Sequence, residues 1–194
     1  MKIRMEQIKV GYCLTGSYCT FQKSLTTLSD LLDAGFEVFP MMSENACKTD
    51  TRFGKAADFV AKIEQMTGKK VLSTISEVEP IGPKKYIDVM VVAPCTGNTL
   101  SKLANGITDT AATMAVKASL RNGIPVVLAL ATNDGLGQSA KSLGTMLPVK
   151  NVYFVPLSQD DPVKKPTSLV CDFTKVKETV LLALEGKQIQ PVIK

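Results

Sequence analysis

The chain alternates short apolar, β-branched runs with segments of helical length. Its most apolar run, 87–93, reads IDVMVVA, and a second, 125–131, reads PVVLALA. Strands that are apolar along nearly their whole length are buried on both faces, as in a parallel sheet covered by helices. The alternation therefore predicts a single doubly wound α/β domain over 1–194. We expect a Rossmann-like or flavodoxin-like fold with a mostly parallel sheet of five to six strands, in which 87–93 is central.

The same patterns place the individual elements along the chain. The spacing of apolar residues and the breaker residues predict a helix after most of the strands. Gly35 and Gly123 are expected to end two of these helices. The proline-bearing segments 71–85 and 157–168 are expected to be loops, and the tail after Gly186 to be frayed or bound to a partner. Strands are predicted over 8–14, 36–42, 87–93, 125–131 and 151–155, and helices over about 19–34, 51–66, 99–105, 109–122, 137–147 and 174–184.

Small polar residues follow three of the predicted strands. Because ligands of such sheets bind beyond the carboxyl ends of the strands, these residues are expected to surround one cleft. Hydroxyls beside the free amides of a helix start favour a phosphate or a carboxylate. N-caps that need no ligand also explain the first two groups. The groups are Thr15, Gly16 and Ser17 after the first strand, Ser43 after the second, and Thr96, Gly97, Asn98 and Thr99 after the third.

Two details of these segments can be predicted from local chemistry. Gly16 is expected to let the backbone turn tightly, and Asp109 to cap the helix that follows the Asn105-Gly106 break. Cys95 ends the third strand beside the predicted cleft. Helix amides there would lower the pKa of its thiol and make it reactive, whereas the alternative is a small residue that fills a tight turn.

The chain contains no histidine, which excludes many kinds of site. A Ser-His-Asp triad, a Cys-His pair and a histidine-ligated metal are all ruled out, so any chemistry depends on a cofactor, on backbone amides or on other side chains. The glycine patterns of dinucleotide sites and P-loops are also absent. A mononucleotide with one phosphate at a helix start fits better, and flavin mononucleotide (FMN) is the natural candidate, with free phosphate or another nucleotide as alternatives. No catalytic residue can be assigned.

Composition narrows the class of partner. The net charge of +5 is spread along the chain without an aromatic-bearing basic stripe, so we expect no nucleic-acid partner. The five cysteines contain no C-x-x-C pair, so neither a disulfide framework nor a metal site is predicted. No apolar run reaches the roughly 18 residues of a membrane span, and we expect a cytosolic protein without a membrane anchor.

Three segments resemble the FMN-binding flavoprotein family, which includes flavin-dependent cysteine decarboxylases and flavin prenyltransferases. They are LTGS at 14–17, the serine that ends the second strand, and APCTGNTLSKLANGITDT at 93–110. GYCLTGSYCTF at 11–21 and LATNDGLG at 130–137 resemble one branch in particular. That branch implies a subunit of an oxidoreductase that acts on a small dicarboxylate, with NAD(P) on a partner subunit.

The resemblance also implies roles for residues. Those at the positions of Thr15, Gly16, Ser17 and Ser43 contact the flavin phosphate or ribityl chain in the family, as do residues matching 96–99. The segment 131–134, which includes Thr132 and Asn133, lies on the substrate side of the flavin. The family assembles as trimers or dodecamers.

Departures from the family pattern leave three functions open. The catalytic histidine of the cysteine decarboxylases is absent, and so is the arginine that prenyltransferases carry near the position of Thr132. The first is an oxidoreductase subunit, and the second is a non-catalytic subunit that stabilises its partner. The third is a prenyltransferase or decarboxylase that lacks the usual histidine or arginine. For an oxidation, Asp109, Lys102 or water would accept the proton.

Overall fold

A computed structural model describes residues 7–194. Its centre is a sheet of five parallel strands in the spatial order β2-β1-β3-β4-β5. Two short strands, β6 and β7, extend it through antiparallel pairing of β7 with the end of β4, giving seven strands in all. The strands are β1 Lys9–Leu14, β2 Glu37–Met42, β3 Val89–Cys95, β4 Val126–Thr132, β5 Val152–Phe154, β6 Leu157–Ser158 and β7 Leu169–Cys171.

The strand order determines where the helices lie. The chain runs outward from β1 to β2, and then outward in the other direction from β3 to β5. Because crossover connections are right-handed, this reversal puts the helices of the two halves on opposite faces of the sheet. The helices are α1 Phe21–Asp33, α2 Glu44–Lys48, α3 Ala56–Thr67, α4 Ile75–Val78, α5 Gly97–Ala104, α6 Ala111–Arg121, α7 Ser139–Met146 and α8 Val176–Leu184.

Strand β3 is the centre of the core, as its composition predicts. All seven of its residues are buried, and it pairs with β1 on one side and β4 on the other. A buried polar contact joins it to α1, since the Ser24 hydroxyl donates to the Ala93 carbonyl and lies 2.9 Å from the Tyr12 hydroxyl of β1. The predicted doubly wound domain with a mostly parallel sheet is confirmed, but the sheet has seven strands where five to six were expected, because the short antiparallel strands β6 and β7 extend it. Of the helices in 7–194, none has both the length and the apolar character that a membrane span requires.

The segment 71–85 is not a simple loop, contrary to the sequence-based expectation. It contains α4, which a reciprocal capping box starts: the Thr74 hydroxyl accepts from the Glu77 amide and the Glu77 carboxylate accepts from the Thr74 amide. Pro80 then lies in the first turn of a short 3-10 helix, where its missing N–H is tolerated. Local capping therefore outweighs the breaker residues.

The segment 51–55 forms a tight turn, where the sequence pattern predicts the start of a helix. Thr51 and Gly54 exchange backbone hydrogen bonds of 3.0 and 3.1 Å, and α3 begins only at Ala56. Gly54 has a φ of +143°, a conformation that side-chain-bearing residues rarely adopt. The turn matters below because it carries Arg52.

The tail after Gly186 packs against the domain and is not frayed. The Gln188 side chain accepts from the Phe154 amide at 2.8 Å and donates to the Phe154 carbonyl at 2.7 Å. Ile193 forms a parallel bridge with Leu157, the first residue of β6. The tail thus satisfies the backbone of β5 and β6, which an edge strand would otherwise expose.

Two glycines provide a matched test of packing between α5 and β4. A Cβ on Gly97 would lie 2.6 Å from the Thr132 hydroxyl oxygen and 2.7 Å from that of Ser139, whereas a Cβ on Gly144 in α7 would meet nothing within 4 Å. Gly97→Ala should lower the free energy of unfolding by about 1–3 kcal/mol through overpacking. Gly144→Ala should raise it by about 0.5–1 kcal/mol through helix propensity. Urea denaturation of both variants measures the difference; equal effects would contradict the packing described.

Candidate functional site

Two joined cavities lie beyond the carboxyl ends of β1 and β3, where the strand order reverses. The first, of about 500 Å³, is enclosed by residues that follow β1, β2 and β3 and by the start of α6. The second, of about 560 Å³, extends towards the end of β4 and the segment between β6 and β7. The two cavities share Gly16, Tyr18, Thr96 and Asn98.

The structure brings all ten predicted binding residues to these cavities. Gly16, Thr96 and Asn98 border both. The others divide between them: Thr15, Ser43 and Thr99 line the first cavity, and Ser17, Gly97, Thr132 and Asn133 line the second.

Thr15 ties the two central strands together. Its side chain is 1% exposed; its hydroxyl donates to the Pro94 carbonyl at 2.8 Å and accepts from the Thr96 amide at 3.0 Å. Its own amide donates to the same carbonyl at 3.1 Å. The hydroxyl proton is therefore committed within the protein, and Thr15 positions the site more than it offers a donor to a ligand.

The neighbouring residues act differently from the sequence-based expectation. Gly16 does not have a positive φ, so its backbone does not require glycine; an added Cβ would lie 3.6 Å from the Tyr18 ring, an ordinary van der Waals contact. The Ser17 hydroxyl makes no cap hydrogen bond to the following 3-10 helix, Tyr18–Thr20. Tyr18 covers the junction of the cavities and donates from its hydroxyl to the Asn45 carbonyl at 3.1 Å.

Ser43 begins α2 as an N-cap, accepting from the Ala46 amide at 3.3 Å. The next residue, Glu44, also borders the first cavity, and its carboxylate accepts from the Ala111 amide at 3.1 Å. Ala111 is the first residue of α6, so this carboxylate stabilises the positive end of that helix. The sequence gives no signal for residue 44, because its partner lies 67 positions away.

The start of α5 forms the wall between the cavities. The Thr96 hydroxyl accepts from the Thr99 amide at 3.0 Å and donates to the Thr99 hydroxyl at 3.0 Å. The Thr99 hydroxyl accepts this hydrogen bond and so keeps its own proton for another acceptor. The first amides of α5 have no partner within the helix. Asn98 is exposed at this helix start. This arrangement presents donors to an anion.

The start of α6 differs from the prediction that Asp109 caps it. Thr110 is the N-cap, in a capping box with Thr113. Asp109 forms an ion pair with Lys102 at 2.8 Å, and hydrogen bonding from Lys102 holds the pKa of Asp109 below its usual range. A carboxylate with a lowered pKa is a weak base, so Asp109 is poorly suited to accept a proton at neutral pH.

Cys95 is not a reactive thiol, contrary to the functional interpretation of its position. Its side chain is fully buried, and burial raises the pKa of Cys95 to about 12. Cys13 and Cys171 are buried with pKa values raised for the same main reason. Cys19 is exposed, and it borders the second cavity.

Sequence reasoning missed the charged residues that line the second cavity. Arg52 lies in the tight turn after α2, and Asp160 and Lys165 lie between β6 and β7. The signal for the last two was the polar composition of 157–168, but only the pairing of β7 with β4 brings that segment to the site. The two cavities consequently differ in formal charge: Glu44 and Asp109 outnumber Lys102 in the first, whereas Arg52 and Lys165 outnumber Asp160 in the second.

Comparison with known proteins identifies relatives over nearly the whole chain. The Flavoprotein family model matches residues 2–181. The B subunit of dipicolinate synthase from Bacillus subtilis (strain 168) is 44% identical over 185 residues, which span 95% of this chain and 92% of the relative.

Solved structures agree with that relationship. The B subunit of dipicolinate synthase from Bacillus halodurans C has a TM-score of 0.88 at 42% identity, with 96% of each chain covered. The FMN-dependent cysteine decarboxylase SpaF has a TM-score of 0.71 at 19% identity, with 92% of this chain and 98% of SpaF covered, and so shows the fold alone. Because the family model matches most of this chain, residues 2–181, the chain belongs to the Flavoprotein family.

Proposed function

We propose that the chain acts as the B subunit of a dipicolinate synthase. With an A subunit that carries NAD(P), it would oxidise dihydrodipicolinate, an intermediate of the lysine pathway, to dipicolinate. The setting would be the mother-cell cytoplasm of a sporulating bacterium. The relatives named above support the choice of reaction. The pair of joined cavities is the observation that supports a binding role. Hydroxyl groups, an amide side chain and a helix start line these cavities at the point where the strand order reverses.

The residues present fit an FMN-type cofactor. A helix start with free amides and the hydroxyls of Ser43 and Thr99 are the kinds of group that bind a phosphate. The Lys102 ammonium would bind it as well, in competition with Asp109. In the second cavity, Phe53 and Val170 provide apolar surface beside Asn133, as a ring with polar edges requires. When bound, FMN would supply an acceptor for the two electrons that leave the dihydro ring.

The chain's own residues would orient the substrate and fix the charges around it. Aromatisation of the ring supplies much of the driving force, so positioning is the main requirement. Lys102 carries only donors and Asp109 is a weak base, so neither accepts the proton well. Water is the remaining acceptor among the candidates drawn from the sequence. The Lys102–Asp109 ion pair is equally compatible with a subunit that is not itself catalytic and stabilises its partner.

Asn98 allows cofactor binding to be tested without altering the fold. Its side chain is exposed, borders both cavities and makes no hydrogen bond to another described residue. Asn98→Ala should weaken FMN binding about tenfold, the effect of losing one good hydrogen bond in a desolvated site, and leave thermal stability unchanged.

A titration followed by flavin absorbance, with and without the A subunit, measures that change. Asn105→Ala is the control, because Asn105 lies at the other end of α5 and bonds its own helix at Ser101. If wild-type protein binds no FMN under either condition, the cofactor part of the proposal is wrong; dipicolinate production by the pair of subunits then tests the rest.

Cysteine alkylation reports independently on the second cavity. Cys19 borders that cavity and is exposed, whereas Cys95 is buried with a raised pKa. Iodoacetamide should modify Cys19 and leave Cys95 unmodified in the folded protein, because only the thiolate reacts. Saturating FMN should slow Cys19 modification severalfold, as measured by peptide mass spectrometry. Equal rates with and without FMN would show that the cofactor does not cover the second cavity.

A further inference from the structure

We propose that Arg52 and Lys165 together bind the two carboxylates of a small dicarboxylate in the second cavity. This inference rests on the proposed function and specifies which residues would recognise its substrate class. Both side chains border the same cavity, and each comes from a different part of the chain. Two cations held on separate segments match a ligand with two separated anionic groups.

Arg52 is presented by a rigid turn. The backbone hydrogen bonds between Thr51 and Gly54 close the turn, and the Phe53 amide donates to the Thr51 hydroxyl at 3.2 Å. The Arg52 guanidinium stacks over the Phe53 ring, with Cζ 4.9 Å from the ring centroid. Within residues 7–194, Arg52 forms no ion pair with a carboxylate. An arginine held in this way offers a planar fork for a carboxylate at little cost in side-chain entropy.

Lys165 is placed over the end of β4 by a network of hydrogen bonds. Its backbone amide donates to the Asp161 carbonyl at 2.7 Å, and its carbonyl accepts from the Ser168 amide at 3.0 Å. Two residues on, the Thr167 hydroxyl donates to the Asn133 carbonyl at 2.7 Å. These contacts connect the segment to the residues after β4 and keep Lys165 at the cavity.

Asp160 competes for Lys165. The Lys165 ammonium lies 2.9 Å from the Asp160 carboxylate, which also borders the cavity. Hydrogen bonding to Asp160 raises the pKa of Lys165 above its usual range. A substrate carboxylate must therefore displace or share the Asp160 contact, while Arg52 is available without such competition.

Replacement of each cation should reduce dicarboxylate binding. Arg52→Gln and Lys165→Gln should each weaken binding of dipicolinate to the FMN-treated protein about tenfold. Picolinate, which has one carboxylate, should be affected less, because it can use whichever cation remains. Fluorescence or calorimetric titration gives both affinities, and the ratio between them is the decisive quantity.

The chain contains close controls for both substitutions. Lys164 is adjacent to Lys165 but does not border the cavity, and Arg121 forms an ion pair with Glu79 at the end of α6. Lys164→Gln and Arg121→Gln should leave dipicolinate affinity unchanged. Thermal melting of all four variants verifies that the exposed substitutions leave the fold intact.

Removal of the Asp160 carboxylate should change dipicolinate affinity in the opposite direction. Asp160→Asn should tighten dipicolinate binding severalfold, because Lys165 is then released for the ligand. A purely structural role for the Asp160–Lys165 pair would produce unchanged or weaker binding together with a lower melting temperature, and either result would remove Lys165 from the proposed site.

The outcomes separate this inference from the proposed function. If the wild-type protein binds FMN and forms dipicolinate with its A subunit, but Arg52→Gln and Lys165→Gln keep wild-type affinities and KM, the two-cation site is wrong and the function stands. If the substitutions weaken FMN as strongly as dipicolinate, the cations bind the cofactor phosphate instead, which also overturns the inference. If wild-type protein binds neither dipicolinate nor FMN and forms no dipicolinate with its A subunit, both proposals fail.

Discussion

The contact between Thr15 and the end of β3 is the constraint on which the candidate site depends. At this point the strand order reverses, and no crossover helix joins the two neighbouring strand ends. One buried threonine supplies an amide donor, a hydroxyl donor and a hydroxyl acceptor to Pro94 and Thr96. Because unsatisfied polar groups in a buried site are costly, this set fixes the start of α5 relative to the end of β1. The start of α5 that is fixed in this way borders both cavities.

The sequence predicts the fold and much of the site because the relevant signals are local. Nearly continuous apolar runs predict β3 and β4, and small polar residues directly after each strand predict the cavity walls. Errors arise where two local signals compete. Thr110 rather than Asp109 caps α6, since a reciprocal partner at Thr113 is available, and Thr74 with Glu77 forms a helix despite the nearby prolines. Predicting either outcome requires comparing capping energies of about 1 kcal/mol.

The residues that sequence reasoning misses share a different property, since their positions depend on tertiary pairing. Arg52 reaches the second cavity only because a turn replaces the predicted first part of α3. Lys165 reaches it because β7 pairs with Ala131 and Thr132 at the end of β4. Neither event has a distinctive spacing in the sequence. The charge of the second cavity, and with it the class of ligand that the cavity favours, could therefore be obtained only from the structure.

The absence of histidine is consistent with the way charge is arranged at the two cavities. Lys102 pairs with Asp109 and Lys165 with Asp160. Hydrogen bonding from Lys102 holds the pKa of Asp109 below its usual range, and hydrogen bonding from Ser168 and then Lys165 does the same for the pKa of Asp160. These pairs act as fixed charges near neutral pH and do not exchange protons readily. A reaction that needs a strong general base would be poorly served by such groups. An oxidation that forms an aromatic ring needs less from the protein, because the product's stability helps to drive loss of the proton to water. The electrostatics of the site thus favour binding and orientation as the chain's contribution to the proposed reaction.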